Sequence, residues 1–108
     1  MSKYLLIASR DPFESQDVER FYKLAEALAE AKHQVTLFLV QNGVLPARKS
    51  EQSAKLERLV QRGVRVLADA FSLDERGISD DRLTPAVQRS PIGVVIDELS
   101  AGAKTLWS

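Results

Sequence analysis

The sequence predicts an α/β protein, a three-layer α/β/α domain with a mostly parallel, four- to five-stranded sheet. Three observations carry this. Gln34–Val44 (QVTLFLVQNGV) contains the nearly continuous apolar run Val35, Leu37, Phe38, Leu39 and Val40, stopping at Asn42-Gly43 where the backbone can turn. Such a strand is buried on both faces, and helix-patterned segments lie on either side of it, Asp17–Lys32 before and Glu51–Arg62 after. Further apolar runs alternate with further helical segments, and that alternation is the signature of right-handed β-α-β crossovers.

Taken in order, Lys3–Ala8 is a short apolar first strand, and Ser9-Arg10-Asp11-Pro12 is a polar loop whose proline forbids continued pairing. The next segment places Val18, Phe21, Tyr22, Ala25, Leu28 and Ala29 on one stripe of a helix, with Ser15 as its N-cap and Glu19/Lys23 as an i,i+4 pair. Lys32-His33 closes it and leads into the central strand. Val44-Leu45-Pro46-Ala47-Arg48-Lys49 reads as a loop of mixed apolar and basic character. Ser50 then caps a second helix, Glu51–Arg62, with Leu56, Leu59 and Val60 inward and Gly63 as its stop.

Val64–Ala68 is the third strand, ending at Asp69, and a short helix Ala70–Arg76 runs to a stop at Gly77. Ile78–Arg89 carries little pattern beyond a turn at Ser79-Asp80-Asp81 limited by Pro85. In Ser90–Gly102 the run Val94-Val95-Ile96 reads as a strand, whereas Ser90-Pro91 and the spacing of Ile92, Val95, Ile96 and Leu99 read as a helix with an apolar stripe. The helix is taken. Ala103–Trp107 is the last strand, and residues 1–108 form one domain with no repeat, linker or low-complexity segment.

Composition excludes several functions. Lys+Arg and Asp+Glu are equal at 15 each, so no global field gathers nucleic acid or an anionic membrane. MSKYLLIASR turns polar too soon for a signal peptide or a membrane span, and a cytoplasmic protein is expected. With no cysteine, disulfides, thiolate metal sites, persulfides and cysteine nucleophiles are all ruled out. No cofactor is expected.

Three stretches, AEALAEAKHQVTLFLVQNGV, GVRVLADAFSLDERGI and DELSAGAKTLW, in this order and spacing, resemble the DsrE/DsrF/DsrH superfamily, which includes the TusB, TusC and TusD subunits of a sulfur relay for tRNA thiolation. The resemblance implies a compact α/β/α domain in homo- or hetero-oligomers, whose active subunits carry sulfur as a persulfide on one cysteine at the end of the third strand. Counting back eight residues from Gly77, where the family places that cysteine, reaches Asp69. A carboxylate cannot hold a persulfide, so the resemblance implies a subunit that assembles without performing the sulfur chemistry.

Ligands of a parallel sheet gather at the carboxyl ends of its strands, here Ser9-Arg10-Asp11, Gln41-Asn42-Gly43 and Asp69. Asp69 has two readings, a carboxylate at the mouth of a pocket or the N-cap of the helix beginning at Ala70, accepting the amide of Phe71 or Ser72. Arg10, Arg48, Lys49 and Arg76 could converge there on an anion or stand apart as solvated cations. His33 has no partner at a metal-ligand spacing, and Asp74, Glu75, Asp80 and Asp81 match no calcium loop, reading instead as wet surface. Trp107 and Phe38 read as core or interface packing. Val44-Leu45-Pro46 is expected to expose apolar side chains as an interface.

The first expectation is therefore a non-catalytic subunit acting through oligomerisation, as a homotrimer or homohexamer or with cysteine-bearing relatives, in a sulfur-relay-type complex. The alternative is a small-molecule or anion-binding protein using Asp69, Asn42, Arg10, Ser9 and Arg76. An enzyme using Asp69 as a base ranks third, since no nucleophile or paired acid is recognisable.

Overall fold

The computed structural model describes residues 2–12 and 15–108. Its five strands are Lys3–Ala8 (β1), Gln34–Leu39 (β2), Arg65–Asp69 (β3), Gln88–Ser90 (β4) and Lys104–Trp107 (β5). They form one parallel sheet in the order β4-β3-β2-β1-β5. The first strand thus lies between the second and the last. The helices are Asp17–Glu30 (α1), Ser53–Gln61 (α2), Ala70–Glu75 (α3) and Gly93–Ser100 (α4), with a 3-10 segment at Gln41–Ala47.

Crossover handedness decides which face each helix covers. The steps from β1 to β2 and from β2 to β3 run the same way across the sheet, so right-handed connections place α1 and α2 on one face. The step from β4 to β5 runs back the other way, and α4 falls on the opposite face. On the first face Val18, Phe21, Tyr22 and Ala25 of α1 and Leu56 and Leu59 of α2 pack on Leu6, Leu37, Leu39 and Val66. On the second, Val95 of α4 packs on Leu5, Ile7, Phe38 and Val40. One short helix thus has to cover a face whose counterpart carries α1, α2 and, through Leu73, α3.

The expected helices are present with shorter ends. The formal cap of α1 is Gln16, one residue after Ser15, whose hydroxyl nevertheless accepts the Asp17 amide at 3.2 Å. The second helix begins at Ser53, not Glu51, because Ser50 closes a local turn in which its hydroxyl accepts the Gln52 amide and its carbonyl accepts from the Ser53 hydroxyl at 2.7 Å. Glu19 pairs across the helices with Lys55 rather than with Lys23, and that bond holds its carboxyl below the usual carboxylate range. Arg58–Glu26 and Arg62–Glu30, each at 3.3 Å, continue the lacing of α1 to α2.

Beneath this lacing the Tyr22 hydroxyl is buried and has no hydrogen-bond partner among the described residues. Burial, and after it the charges of Asp11 and Glu19, push its pKa above the ordinary value. A buried hydroxyl without a partner costs about 1–3 kcal/mol, so Tyr22→Phe should raise stability or leave it unchanged. Urea unfolding of the two proteins decides it, and a loss of more than about 1 kcal/mol would show a bond to the hydroxyl in solution.

The expected loop after the central strand is instead the 3-10 segment, and its apolar residues are not exposed. Val44 and Ala47 are fully buried, Pro46 is buried and Leu45 half-buried. The segment folds down over the carboxyl ends of β1 and β2, so Val44-Leu45-Pro46 belongs largely to the core and the exposure on which an interface there depended is absent.

The stretch Ile78–Arg89 ends in a strand that periodicity did not reveal, because β4 is three residues long. Its Arg89 organises the surroundings. Nε donates to Asp80 and Nη1 to Asp74, both at 2.7 Å, while Nη1 and Nη2 also donate to the carbonyls of Ala70 and Ile78 at 3.3 and 2.9 Å. Asp74 and Asp80 are exposed, as expected of a wet surface, and there they are the partners of one guanidinium fork.

Ser90–Gly102 does contain a helix, but α4 is capped at Ile92, past the expected Ser90-Pro91. Its apolar stripe is turned out: Val95 is half-buried, whereas Ile92, Ile96 and Leu99 are 56, 63 and 50% exposed. Trp107 on β5 is 68% exposed, so it is no core residue, while Phe38 is fully buried. His33 accepts the Ser2 amide at Nδ1 and stands edge-on to Tyr4 at the amino ends of the strands, the structural role expected of it.

Candidate functional site

The carboxyl ends of β2 and β3 carry a closed polar network. Asp69 ends β3 and caps α3, as one of its two sequence readings held: Oδ2 accepts the Ser72 amide at 3.1 Å and the Ser72 hydroxyl at 2.7 Å. The Ser72 oxygen in turn accepts the amide of Gln41 at 2.8 Å. Gln41 sits in the left-handed region, φ 51°, which for a residue with a Cβ costs about 1–2 kcal/mol, and the part-buried hydrogen bond of its amide to Ser72 offsets that cost. A chain of bonds thus runs from the turn after β2, through one hydroxyl, to the carboxylate at the end of β3.

Beside it, Asn42 Oδ1 accepts both Nε and Nη2 of Arg76, at 3.1 and 3.0 Å, and Arg76 Nη1 donates to the Ser72 carbonyl at 3.2 Å. Asp69, Asn42 and Arg76 are therefore brought together, but as a tie between α3 and the 3-10 segment. The Arg76 fork, needed for an anion site, is already engaged.

Ser9 and Arg10 stand apart from this network. The Ser9 amide and hydroxyl donate to the Ser108 carbonyl at 3.0 and 2.8 Å, and the Ser108 amide returns to Ile7 at 2.9 Å, so Ser9 extends the β1–β5 pairing. Arg10 is exposed in the following bend. Arg48 lines a hollow of about 100 Å³ with Asp11, Leu45, Pro46, Ser50 and Gln52, and neither Lys49 nor Arg76 reaches it. The four cations of the expected anion site do not share that hollow.

In the Asp69 network one atom remains open chemically. Asp69 is only 8% exposed, yet its second oxygen, Oδ1, makes no hydrogen bond among the described residues. It can accept from a small donor. Sequence reasoning named the Ser72 amide as a group that Asp69 could cap and Gln41 among the strand-end residues, but missed the Ser72 hydroxyl that joins the two. Among the described residues no group of three or more His, Asp or Glu side chains is arranged to hold a metal ion, and no helix is long and apolar enough to cross a membrane.

A sequence model of the DsrE/DsrF-like family matches residues 2–107, nearly the whole chain. The chain belongs to that family. Its fold is shared with solved structures of the same size. MTH1491 from Methanobacterium thermoautotrophicum, a protein of unknown function, superposes with a TM-score of 0.86 at 19% identity over 100% of both chains. The ychN protein of E. coli superposes equally well, 0.86 at 26% identity over 100% of both chains. BT1422 from Bacteroides thetaiotaomicron, a conserved protein of unknown function, gives 0.78 at 16% identity, covering 98% of this chain and 95% of its own. No curated protein matches the chain by sequence.

Within the DsrE/DsrF-like family this chain is a member without cysteine. The strand end that the sequence resemblance equates with the sulfur-carrying position holds a carboxylate with one oxygen spent on its own helix.

Proposed function

We propose that this chain is a DsrE-like subunit that carries no sulfur and works by assembling, with copies of itself or with cysteine-bearing relatives, in a sulfur-relay-type complex. The observation that supports it most is the bonding of Asp69. Where the resemblance puts a thiol, this chain has a residue that cannot bond sulfane sulfur, committed to capping α3 and anchoring Ser72. The fold is kept and its reactive atom is replaced by a structural one, which fits a subunit whose value lies in its surfaces.

Native mass spectrometry of the protein purified gently from its own source tests this. A complex with a cysteine-containing relative, or a homotrimer or homohexamer, is the expected result. A strict monomer overturns the reading.

A second reading is favoured by the open Oδ1 of Asp69, which would bind a small cationic or hydroxylated ligand at the strand ends. It gains if the protein retains an extra small-molecule mass that is lost in Asp69→Asn, since asparagine still caps a helix but carries no charge.

A further inference from the structure

The geometry points to a docking surface for a second copy of this chain, made by the outer flank of α4 together with the uncovered strip of sheet over β5. This rests on the assembly reading above and names the surface and the occupant.

The direction of the flank follows from the helix's own contacts. Val95 points down onto Leu5, Ile7, Phe38 and Val40, so α4 lies over β1 and β2. Glu98 reaches sideways to Arg65 of β3 at 3.5 Å. At about 100° per residue, Ile92, Ile96 and Leu99 lie roughly 100–160° around the helix from Glu98, which turns them away from β3 and toward β5. The floor on that side is apolar too. Trp107 pairs in register with Ile7, and paired residues of parallel strands point to the same face, so its indole stands on the α4 side. All four residues of β5 are exposed. The α4 layer therefore stops short of the last strand and leaves a trough with a helix wall and a tryptophan floor.

Size and charge identify the occupant. Ile92, Ile96, Leu99 and Trp107 leave on the order of 500 Å² of apolar side chain in water, within the ~300–600 Å² of the largest, often functional, patch on a monomer. It is also more than half of the roughly 800 Å² that each partner buries in a standard interface, and the surrounding polar rim supplies the rest. A membrane is a poor fit, because surface-binding helices carry lysine and arginine beside the apolar stripe, and α4 carries Asp97 and Glu98. A second copy fits. Each chain offers one helix ridge and lacks one helix over β5, so a twofold axis beside α4 lays the ridge of each copy in the trough of the other and completes both layers.

Trp107 is the only tryptophan in the chain, so its emission reports on this surface alone. The experiment combines light scattering with tryptophan emission over a dilution series, for the wild type and for Ile96→Glu. Because Ile96 is 63% exposed, the charge should leave the circular dichroism and the melting temperature of the isolated chain unchanged. The expected result is a wild-type oligomer whose emission shifts to the red as it dissociates, and an Ile96→Glu protein that dissociates at least ~100-fold more readily, since the glutamate would be buried without a partner. If the wild type is an oligomer whose emission stays that of a solvated indole, or if Ile96→Glu leaves its mass unchanged, this surface is refuted while the assembly reading stands. A wild type that is monomeric at every concentration and in its native source refutes both. Should Ile96→Glu fail to fold, Trp107→Ser serves in its place by mass alone, with the same two outcomes.

Discussion

Replacing Gly43 by alanine is expected to destabilise the protein by about 3 kcal/mol or more, lowering its melting temperature by on the order of 10–20 °C. The backbone angle of Gly43 does not require glycine, since the positive-φ glycines are Gly63, Gly77 and Gly102. Space requires it. A Cβ on Gly43 would lie 2.1 Å from the Ala8 carbonyl oxygen and 2.8 Å from its carbon, well inside van der Waals contact. Neither side can give way cheaply: the Ala8 carbonyl accepts the Val40 amide at 3.0 Å, and the Gly43 amide is tied to the Val40 carbonyl at 2.8 Å. Pushing the 3-10 segment outward would also lift Val44 from its buried place. Gly63→Ala is the control. It meets nothing within 4 Å but must hold φ +98°, so its cost should be only about 1–2 kcal/mol, from backbone conformation alone. Thermal or urea unfolding of the two variants checks the ordering, and similar losses would mean that the 3-10 segment relaxes freely.

The second large effect concerns Asp69. Asp69→Ala should cost about 2–3 kcal/mol, because it leaves the buried amide and hydroxyl of Ser72 without their acceptor. Ser72→Ala removes the same hydroxyl bond from the other side and leaves the Gln41 amide unpaired. The double variant should therefore lose less than the sum of the two, by about 1 kcal/mol or more, as expected of residues in one network. Asp69→Asn discriminates between cap and charge. If the carboxylate serves only to cap α3, asparagine retains most of the stability, whereas a ligand that needs the negative charge is lost with it. Additive losses in the double variant would show that the network seen here does not act as a unit.

Both predictions fall where sequence and structure part. Asn42-Gly43 was legible as the end of the central strand, and a glycine there suggests a turn; that its missing Cβ makes room for the end of β1 depends on a residue thirty-five positions earlier. Asp69 was legible as a cap because a cap is local, three residues from its partner. The pairing of Asn42 with Arg76 was not, since it joins the 3-10 segment to the end of α3, which the β2–β3 pairing brings together. The three-residue β4 is too short to show a period, and Arg89, its most connected residue, gathers acids and carbonyls that no spacing rule relates.

Local patterns alone determined the first three strands, read as Lys3–Ala8, within Gln34–Val44 and as Val64–Ala68 and found at Lys3–Ala8, Gln34–Leu39 and Arg65–Asp69, together with the stripe of α1, the glycine stops and the absence of thiol chemistry. These depend on side-chain periodicity, on backbone conformation and on which atoms are present, all of which can be read from neighbours in the chain. The tertiary structure decided the burial of Val44 and Pro46 and the outward turn of Ile92, Ile96 and Leu99. A helix as apolar as α4 has more than one face it could bury. Which one meets the sheet depends on a crossover that runs from β4 back over the sheet to β5, and on the single layer position that this handed connection leaves open.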